Sequence, residues 1–236
     1  MTAEESARTV GLIGQAGLER LQRSTVAVFG IGGVGSFTVE ALARSGVGTL
    51  HLYDHDTVSP SNCNRQLIAL PKTVGQYKTE LAAARCKDIN ADITVFEHRE
   101  FVTQKTEIPF DSFDFIVDAV DNVTAKLYLI ENAVSRKIPI ISVMGTGNKT
   151  DPTKLAVGDI YETENCPLAR VMRTQLRKRG ISKLSVVWSS ELPRTAAETE
   201  ERRQTGRPIP ASMCFVPACA GITAASFAVK TLLNKR

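Results

Sequence analysis

Short apolar runs alternate along the first two thirds of the chain with segments whose apolar side chains recur at helical spacing. The apolar or alternating runs are residues 25–29, 49–53, 93–98, 114–119 and 138–143. The helical spacing covers residues 36–45, 76–90 and 122–136. Buried parallel strands read as short apolar runs, and helices form the crossovers between them. The pattern predicts an α/β fold, a Rossmann-type doubly wound, mostly parallel sheet with helices on both faces.

The periodicity weakens beyond residue 145. A basic helix is predicted over residues 168–180 and a strand over residues 184–188. Residues 189–210 are rich in charge, Thr and Pro and lack apolar periodicity, which predicts a flexible surface loop at the C-terminal side of the chain.

We expect one domain over residues 1–236. Its core covers about residues 20–145, where the alternation is regular, and residues 146–236 form a C-terminal extension of the same domain.

Residues 208–229 contain no charged side chain and approach the length of a membrane span. They also contain three prolines, Gly221 and many small Ala, Ser and Thr residues. This composition favours a loop that ends near Pro217, followed by a buried helix over residues 218–233, and we expect no stable membrane insertion.

Composition and cysteine usage agree with an ordinary globular protein. The 236 residues are 43% hydrophobic and 23% charged, and the formal net charge of +4 permits a polyanionic partner such as RNA. The five cysteines form no C-x-x-C pair, so the sequence predicts no zinc knuckle. Their scattered, odd number and the polar N-terminus indicate free thiols in a reducing, cytoplasmic compartment.

A G-x-G-x-x-G motif follows the first predicted strand and precedes the first crossover helix. Its glycines are Gly30, Gly32, Gly33 and Gly35. Glycines at such a turn let the backbone approach a phosphate, and the helix N-terminus supplies N–H groups. Asp54 ends the next strand, where a carboxylate can accept hydrogen bonds from a ribose. At this point NAD and ATP are equally compatible with the motif.

Three charged side chains favour ATP. Transfer of a nucleotidyl group needs cations to neutralise the leaving pyrophosphate and a carboxylate to hold Mg²⁺, whereas hydride transfer needs few cations. Arg65, Lys78 and Asp121 supply these parts. Each has a simpler alternative, as a surface ion pair, an exposed helix residue and a helix N-cap respectively. Their joint occurrence in this order favours catalysis.

The chain resembles the E1-like superfamily, which includes the ubiquitin-activating enzymes and the molybdopterin and thiamine adenylyltransferases. The matching segments are GIGGVG (30–35), Asp54 with Asp56, SNCNRQ (61–66), VGQYK (74–78) and DAVDN (118–122). The resemblance implies that Asp54 holds the ATP ribose, that Asn62, Arg65 and Lys78 contact phosphates, and that Asp121 binds Mg²⁺. By the same resemblance Asp56, Gln66 and Asn122 belong to the nucleotide site. It also implies a homodimer in which Arg8 reaches the partner's phosphates.

Within that superfamily the chain is most similar to the bacterial tRNA threonylcarbamoyladenosine dehydratases. The segments that carry the likeness are residues 144–149, 151–152, 159–163, 166–172, 176–180, 215–217 and 221. The resemblance implies ATP-dependent adenylation of the threonyl carboxylate on the modified adenosine at position 37 of tRNA. Cyclisation with loss of AMP follows. A cysteine desulfurase or sulfur-acceptor system is a partner in some relatives, and the sequence leaves that partner open here.

The predicted basic helix is a candidate RNA-binding surface. Its cations are Arg170, Arg173, Arg177, Lys178 and Arg179. The first three recur at i, i+3 and i+7, which places them on one side of a helix where they can meet phosphates. The simpler alternative is a solvated helix end whose cations suit the C-terminal dipole.

Three rival functions remain at the level of sequence. The first is adenylation of the C-terminus of a ubiquitin-like sulfur-carrier protein, disfavoured because those enzymes usually carry two C-x-x-C zinc pairs. The second is an NAD-dependent oxidoreductase, which leaves the three charged residues without a task. The third is a non-catalytic nucleotide-binding scaffold. Cys166, Cys214 or Cys219 could accept an acyl group, but cyclisation within one substrate needs no such thiol.

Overall fold

A computed structural model describes residues 1–197 and 210–234, and it contains one seven-stranded sheet in the order β3-β2-β1-β4-β5-β7-β6. The strands are β1 (Thr25–Phe29), β2 (Thr49–Tyr53), β3 (Thr94–His98), β4 (Phe115–Asp118), β5 (Ile140–Val143), β6 (Leu155–Asp159) and β7 (Ser185–Ser189). All neighbouring pairs are parallel except β6 and β7, which are antiparallel. The predicted Rossmann-type fold is confirmed.

Six α-helices accompany the sheet in the described part of the chain. They are α1 (Ala3–Gln22), α2 (Gly35–Arg44), α3 (Lys78–Ile89), α4 (Val123–Ser135), α5 (Pro167–Lys178) and α6 (Phe215–Asn234). Gly14 interrupts α1 with non-helical angles of φ 74° and ψ 165°, so α1 consists of two helical segments that meet at a kink.

Alternating side chains of the central strand face two separate apolar clusters. Val26 and Val28 of β1 pack with residues of α2, α3 and α6, whereas Ala27 and Phe29 pack with residues of α4 and α5. A strand covered on both faces must be apolar at every position, which is why β1 reads TVAVF in the sequence.

The C-terminal helix α6 belongs to the core. It is the one described helix that is long and apolar enough to cross a membrane, and half of its most apolar window is buried inside the fold. Gly221 lies against α2 so closely that a Cβ there would come within 2.2 Å of the Val34 carbonyl oxygen. The Thr38 hydroxyl donates to the Gly221 carbonyl oxygen at 3.1 Å. The predicted buried helix is therefore confirmed, and it starts three residues earlier than expected.

Three features depart from the sequence-based expectations. No helix was predicted over α1, and no strand over β6. The strand predicted at 184–188 becomes β7 and includes Ser189, the first residue of the predicted flexible loop. Residues 190–197 carry no helix or strand, and the rest of that loop up to residue 209 lies outside the described residues.

Candidate nucleotide-binding site

A cavity of about 540 Å³ opens at the carboxyl ends of the parallel strands. Its walls include the turns that follow β1, β2, β4 and β5. The strand order reverses between β1 and β4, because β2 and β3 lie on one side of β1 and the later strands on the other. Ligands of doubly wound sheets bind at this switch point.

The glycine turn after β1 divides into structural and cavity-facing positions. Gly30 has φ 86°, and a Cβ there would lie 2.8 Å from the Ala119 carbonyl oxygen. A Cβ at Gly35 would lie 1.7 Å from the carbonyl oxygen of Gly30, so these two glycines allow the turn to close. Gly32 and Gly33 line the cavity. At Gly32 the nearest atom to an added Cβ lies 3.9 Å away, which leaves open space for a ligand.

The first turn of α2 adds backbone donors to this wall. Val34 occupies the N-cap position, and its side chain makes no capping hydrogen bond. The N–H groups at a helix start need acceptors, and the positive end of the helix dipole attracts anions. The turn is therefore suited to a phosphate group.

Asp54 is fixed by the backbone of the same region. One carboxylate oxygen accepts from the Ile31 N–H at 2.7 Å, and the other accepts from the Asp56 N–H at 2.9 Å. The side chain is buried on the cavity wall. Each oxygen retains a second lone pair, so Asp54 can accept the ribose hydroxyls predicted from the sequence.

Lys78 is buried at the start of α3 and lies beside two carboxylates. Its Nζ atom donates to Oδ2 of Asp56 at 2.7 Å and lies 4.0 Å from Oδ1 of Asp54. Only 5% of the residue is exposed, and it lines the cavity. The alternative of an exposed helix residue is therefore wrong, and Lys78 places a positive charge inside the site.

Arg65 lines the cavity from the turn between β2 and α3. Its Nη1 atom donates to the Ser61 carbonyl oxygen at 2.7 Å and to the Asn64 side chain at 3.0 Å. It forms no ion pair with a carboxylate in the described part of the chain, so the alternative of a surface ion pair is not supported.

Two neighbours of Arg65 lie behind the wall instead of on it. The Asn62 side chain accepts from the Ser59 N–H at 3.1 Å and so supports the turn. Gln66 is buried, and its Oε1 atom has no partner among the described residues. Neither lines the cavity, and direct contact with a nucleotide stays a prediction for both.

Asp121 and Asn122 divide two tasks in the turn after β4. Asn122 is the N-cap of α4 and accepts from the Ala125 N–H at 3.0 Å. The predicted alternative of Asp121 as the N-cap is therefore wrong. Asp121 is exposed on the cavity wall and makes no hydrogen bond or ion pair with any described residue. Its carboxylate is available to hold a cation.

The donor set fits Mg²⁺ bound jointly with a nucleotide. Mg²⁺ prefers oxygen ligands and commonly takes one or two carboxylates plus substrate phosphates. Asp54, His55 and Asp56 form the described cluster of potential metal ligands, but the Lys78 ammonium already pairs with Asp56 of that cluster. Asp121 lies outside the cluster and has no such cation, which favours it as the metal-binding carboxylate.

A fully buried ion pair supports the turn that carries Asp121. Lys126 and Asp118 both have no exposed surface, and Nζ lies 3.0 Å from Oδ2. Ser142 of β5 donates to the same carboxylate at 2.5 Å. From the sequence, Asp118 is recognised only as part of a motif, and Lys126 is not identified. An Asp eight residues before a Lys on the buried face of a helix would have been the available signal.

Uncharged residues form another part of the cavity wall. Residues 144–147, after β5, line the cavity together with Leu168 and Pro217. Cys166 lies next to this wall, where a Cβ on Gly145 would come within 3.4 Å of its sulfur. Cys166 is buried, and its sulfur caps α5 by accepting from the Ala169 N–H at 3.5 Å. These contacts give the thiol a structural task.

The basic helix is confirmed as α5, and two of its arginines are engaged within the fold. Arg173 donates to the Thr163 carbonyl oxygen at 2.8 Å and also contacts the Thr163 hydroxyl. Arg177 lies over the Tyr161 ring, with its guanidinium carbon 5.1 Å from the ring centroid. Both therefore support the turn at residues 160–163.

The remaining cations of α5 differ in exposure and pairing. Arg179 forms an ion pair with Glu131 of α4 at 2.6 Å. Arg170 and Lys178 are exposed, and neither has an ion-pair partner among the described residues. Since Leu168 lines the cavity, α5 begins at the cavity wall and carries these charges away from it.

Arg8 lies on the first segment of α1 and is exposed. It does not line the cavity of its own chain. Its predicted contact with a partner's phosphates stays a prediction.

A stack of rings runs from the cavity into the sheet. Tyr53 lines the cavity and stacks on His98 with ring centroids 4.0 Å apart. His98 contacts the His51 ring through a 3.0 Å nitrogen–nitrogen hydrogen bond. Burial, and secondarily the neighbouring His98, lowers the pKa of His51 to about 4. Burial also lowers the pKa of His98 and raises that of Tyr53.

The fold and the site together define a nucleotide-binding protein with a charged cavity at the β1–β4 switch point. Residues 5–236 match the ThiF family, and the chain belongs to that family.

Relatives of known activity cover almost the whole chain. A tRNA threonylcarbamoyladenosine dehydratase of Bacillus subtilis (strain 168) is 44% identical over 233 residues, which cover 94% of this chain and 92% of that protein. The crystal structure of the E. coli tRNA N6-threonylcarbamoyladenosine dehydratase in complex with AMP superposes with a TM-score of 0.90 at 32% identity. It covers 98% of this chain and 94% of its own. The ATP complex of the same E. coli enzyme, with the same coverage and identity, has a TM-score of 0.87.

Proposed function

We propose that the chain catalyses the ATP-dependent dehydration of N6-threonylcarbamoyladenosine at position 37 of tRNA to its cyclic form. The observation that carries this proposal is full-length similarity to a dehydratase, 44% identical over 94% of the chain. The cavity agrees with it, because Asp54, Arg65, Lys78 and Asp121 line one continuous space.

We assign a task to each side of the cavity. The glycine turn and the α2 N-terminus bind phosphates, and Asp54 orients the ribose. Arg65 and Lys78 stabilise the charge that develops on pyrophosphate as the threonyl carboxylate attacks the α-phosphate. Asp121 would hold Mg²⁺, which would supply further neutralisation of the phosphates.

The uncharged wall at residues 144–147 suits the acceptor. That wall carries no cation that could pair with the attacking carboxylate and lower its nucleophilicity. In the second step the carbamoyl group attacks the activated carbonyl of the same substituent, AMP leaves and a ring closes. Because the attacking group is tethered to its target, positioning alone accelerates this step. No thiol intermediate is needed, which agrees with the structural task of Cys166.

Three further elements complete the proposal. Arg170 and Lys178 contact the tRNA backbone outside the cavity, where exposed cations can release counterions from phosphates. Arg8 completes the phosphate site of the partner in a homodimer. The protein acts in the cytoplasm with its thiols reduced.

Conversion of the modified nucleoside tests the proposal directly. Transfer RNA that carries threonylcarbamoyladenosine is incubated with the protein, ATP and Mg²⁺, then digested to nucleosides for mass spectrometry. We expect a product lighter by one water molecule, formed only when ATP is present. A folded protein that binds ATP and leaves the nucleoside unchanged would refute the proposal.

Adenylation of a ubiquitin-like sulfur carrier is the competing activity, because it uses the same nucleotide residues. The chain has no C-x-x-C pair, which disfavours it. Exchange of pyrophosphate into ATP that is stimulated by a carrier protein, and not by the modified tRNA, would support this alternative.

A further inference from the structure

We propose that Lys126 is a positioning residue that fixes the turns after β4 and β5 relative to each other and thereby places the Asp121 carboxylate. The proposal rests on the proposed function, since it concerns the same cavity. No catalytic step above uses Lys126, which is completely buried on α4 and faces away from solvent.

All three N–H donors of the Lys126 ammonium form hydrogen bonds, and their acceptors lie on the neighbouring strands β4 and β5. Nζ donates to Oδ2 of Asp118 at 3.0 Å, to the Ser142 hydroxyl oxygen at 3.1 Å and to the Val143 carbonyl oxygen at 2.9 Å. Asp118 is the last residue of β4, and Val143 is the last residue of β5. An ammonium has three donors, so this arrangement satisfies the group completely.

The two strand ends continue directly into the walls of the cavity. The second oxygen of Asp118 accepts from the Val120 N–H at 3.3 Å, which fixes the start of the turn that carries Asp121. Val143 and the following residues 144–147 line the cavity, and residues 144–147 form its uncharged wall. One buried cation therefore connects the turn that holds the metal carboxylate to the turn that faces the acceptor.

Stability alone is a weak reason for such a pair. Removing two charges from water is costly, and apolar residues of similar volume often give equal or greater stability. A buried pair with four directional hydrogen bonds instead fixes one relative arrangement of its partners. A displacement of about 1 Å at a reacting group can lower a rate about 100-fold, so this arrangement matters for the reaction.

The double variant Asp118→Asn/Lys126→Met tests the inference, because it removes both charges together and keeps the side-chain shapes. We expect a folded protein whose kcat for nucleoside dehydration falls about tenfold or more, because the turns lose their fixed arrangement. The Kd for ATP measured without Mg²⁺ should change by less than about threefold, since the glycine turn and Asp54 lie on the β1–β2 side. Backbone amides of residues 119–122 and 144–147 should exchange hydrogen faster. Arg136→Met, which removes an exposed ion pair at the end of α4, is the matched control and should behave like the original protein.

Each outcome decides the inference. A folded double variant with unchanged kcat and unchanged exchange in both turns overturns it. If the double variant does not fold, Ser142→Ala replaces it, since that change removes the shared hydroxyl and leaves the ion pair. A drop in kcat of about threefold or more in a variant that stays folded at the assay temperature supports the inference, and no drop overturns it. If the original protein does not dehydrate the nucleoside, the proposed function fails, and exchange in the two turns alone then decides the inference.

Discussion

Substitution of Lys78 by methionine separates the catalytic charge from the fold. The Nζ atom lies 2.7 Å from Asp56 and 4.0 Å from Asp54, and only 5% of the residue is exposed. Methionine preserves most of the buried aliphatic stem. The Asp56 side chain is 51% exposed, so solvent screens the lost ion pair. We therefore expect a stability loss of about 1 kcal/mol or less.

The catalytic loss should be much larger. Removing one preorganised donor from a site of developing negative charge costs about 2.7–4 kcal/mol, or about 10²–10³ in kcat. Lys78 has a second effect in the same direction, because without it the Asp54–Asp56 cluster repels the phosphates. We expect kcat for dehydration to fall at least about 100-fold while the melting temperature falls by only a few degrees.

Single-turnover conversion of modified tRNA with saturating ATP measures this effect, with pyrophosphate release as a second signal. Lys72→Met is the matched control, because Lys72 is exposed and does not line the cavity. A Lys78→Met protein with a rate within about threefold of the control would contradict the assignment of Lys78 to the phosphates.

Three further predictions concern the same region. Gly35→Ala should prevent stable folding, because its Cβ would lie 1.7 Å from a carbonyl oxygen, and thermal melts measure this effect. Gly32→Ala should fold and bind ATP more weakly, which equilibrium dialysis measures. Tyr53→Phe should leave the melting temperature unchanged or raise it, because the buried hydroxyl has no partner among the described residues, and a fall would show that it has one. Because burial lowers the pKa of His51 to about 4 and also lowers that of His98, the unfolded chain binds more protons below about pH 6.5. Stability should therefore fall as the pH drops from about 6.5 towards 4, and the fall should be smaller in His51→Phe.

The regular part of the sheet could be predicted from the sequence because buried parallel strands and their crossover helices have distinct periods. β1 and β2 have the bounds that their apolar runs indicate, and the helix predicted at 122–136 differs from α4 by one residue at each end. The edge strand β6 was missed, since its residues are only partly buried and include a glycine. The first helix was missed because Gly11, Gly14 and Gly17 weaken its pattern.

The sequence was enough to identify the charged residues of the site, but not the direction in which each side chain points. Motif order brought Asp54, Arg65 and Lys78 together correctly. The sequence did not separate Arg65, on the wall, from Asn62 and Gln66 behind it, because a tight turn reverses side-chain direction within one residue. Lys126 was not identified, since a lysine at a helical position is usually solvated and only the packing of α4 shows that it is buried.

The contact between α6 and α2 has a consequence for synthesis of the protein. The helix α2 follows the glycine turn and begins near residue 35. It stays uncovered until Gly221 of α6 packs against it. These residues are separated by most of the chain, which takes on the order of 10–40 s to translate at about 5–20 residues per second. Throughout that interval the nascent chain exposes one apolar face of its first βαβ unit. A chaperone that binds apolar segments therefore has a long period in which to act on each newly made molecule, and premature termination shortly before residue 221 leaves a product with that face uncovered.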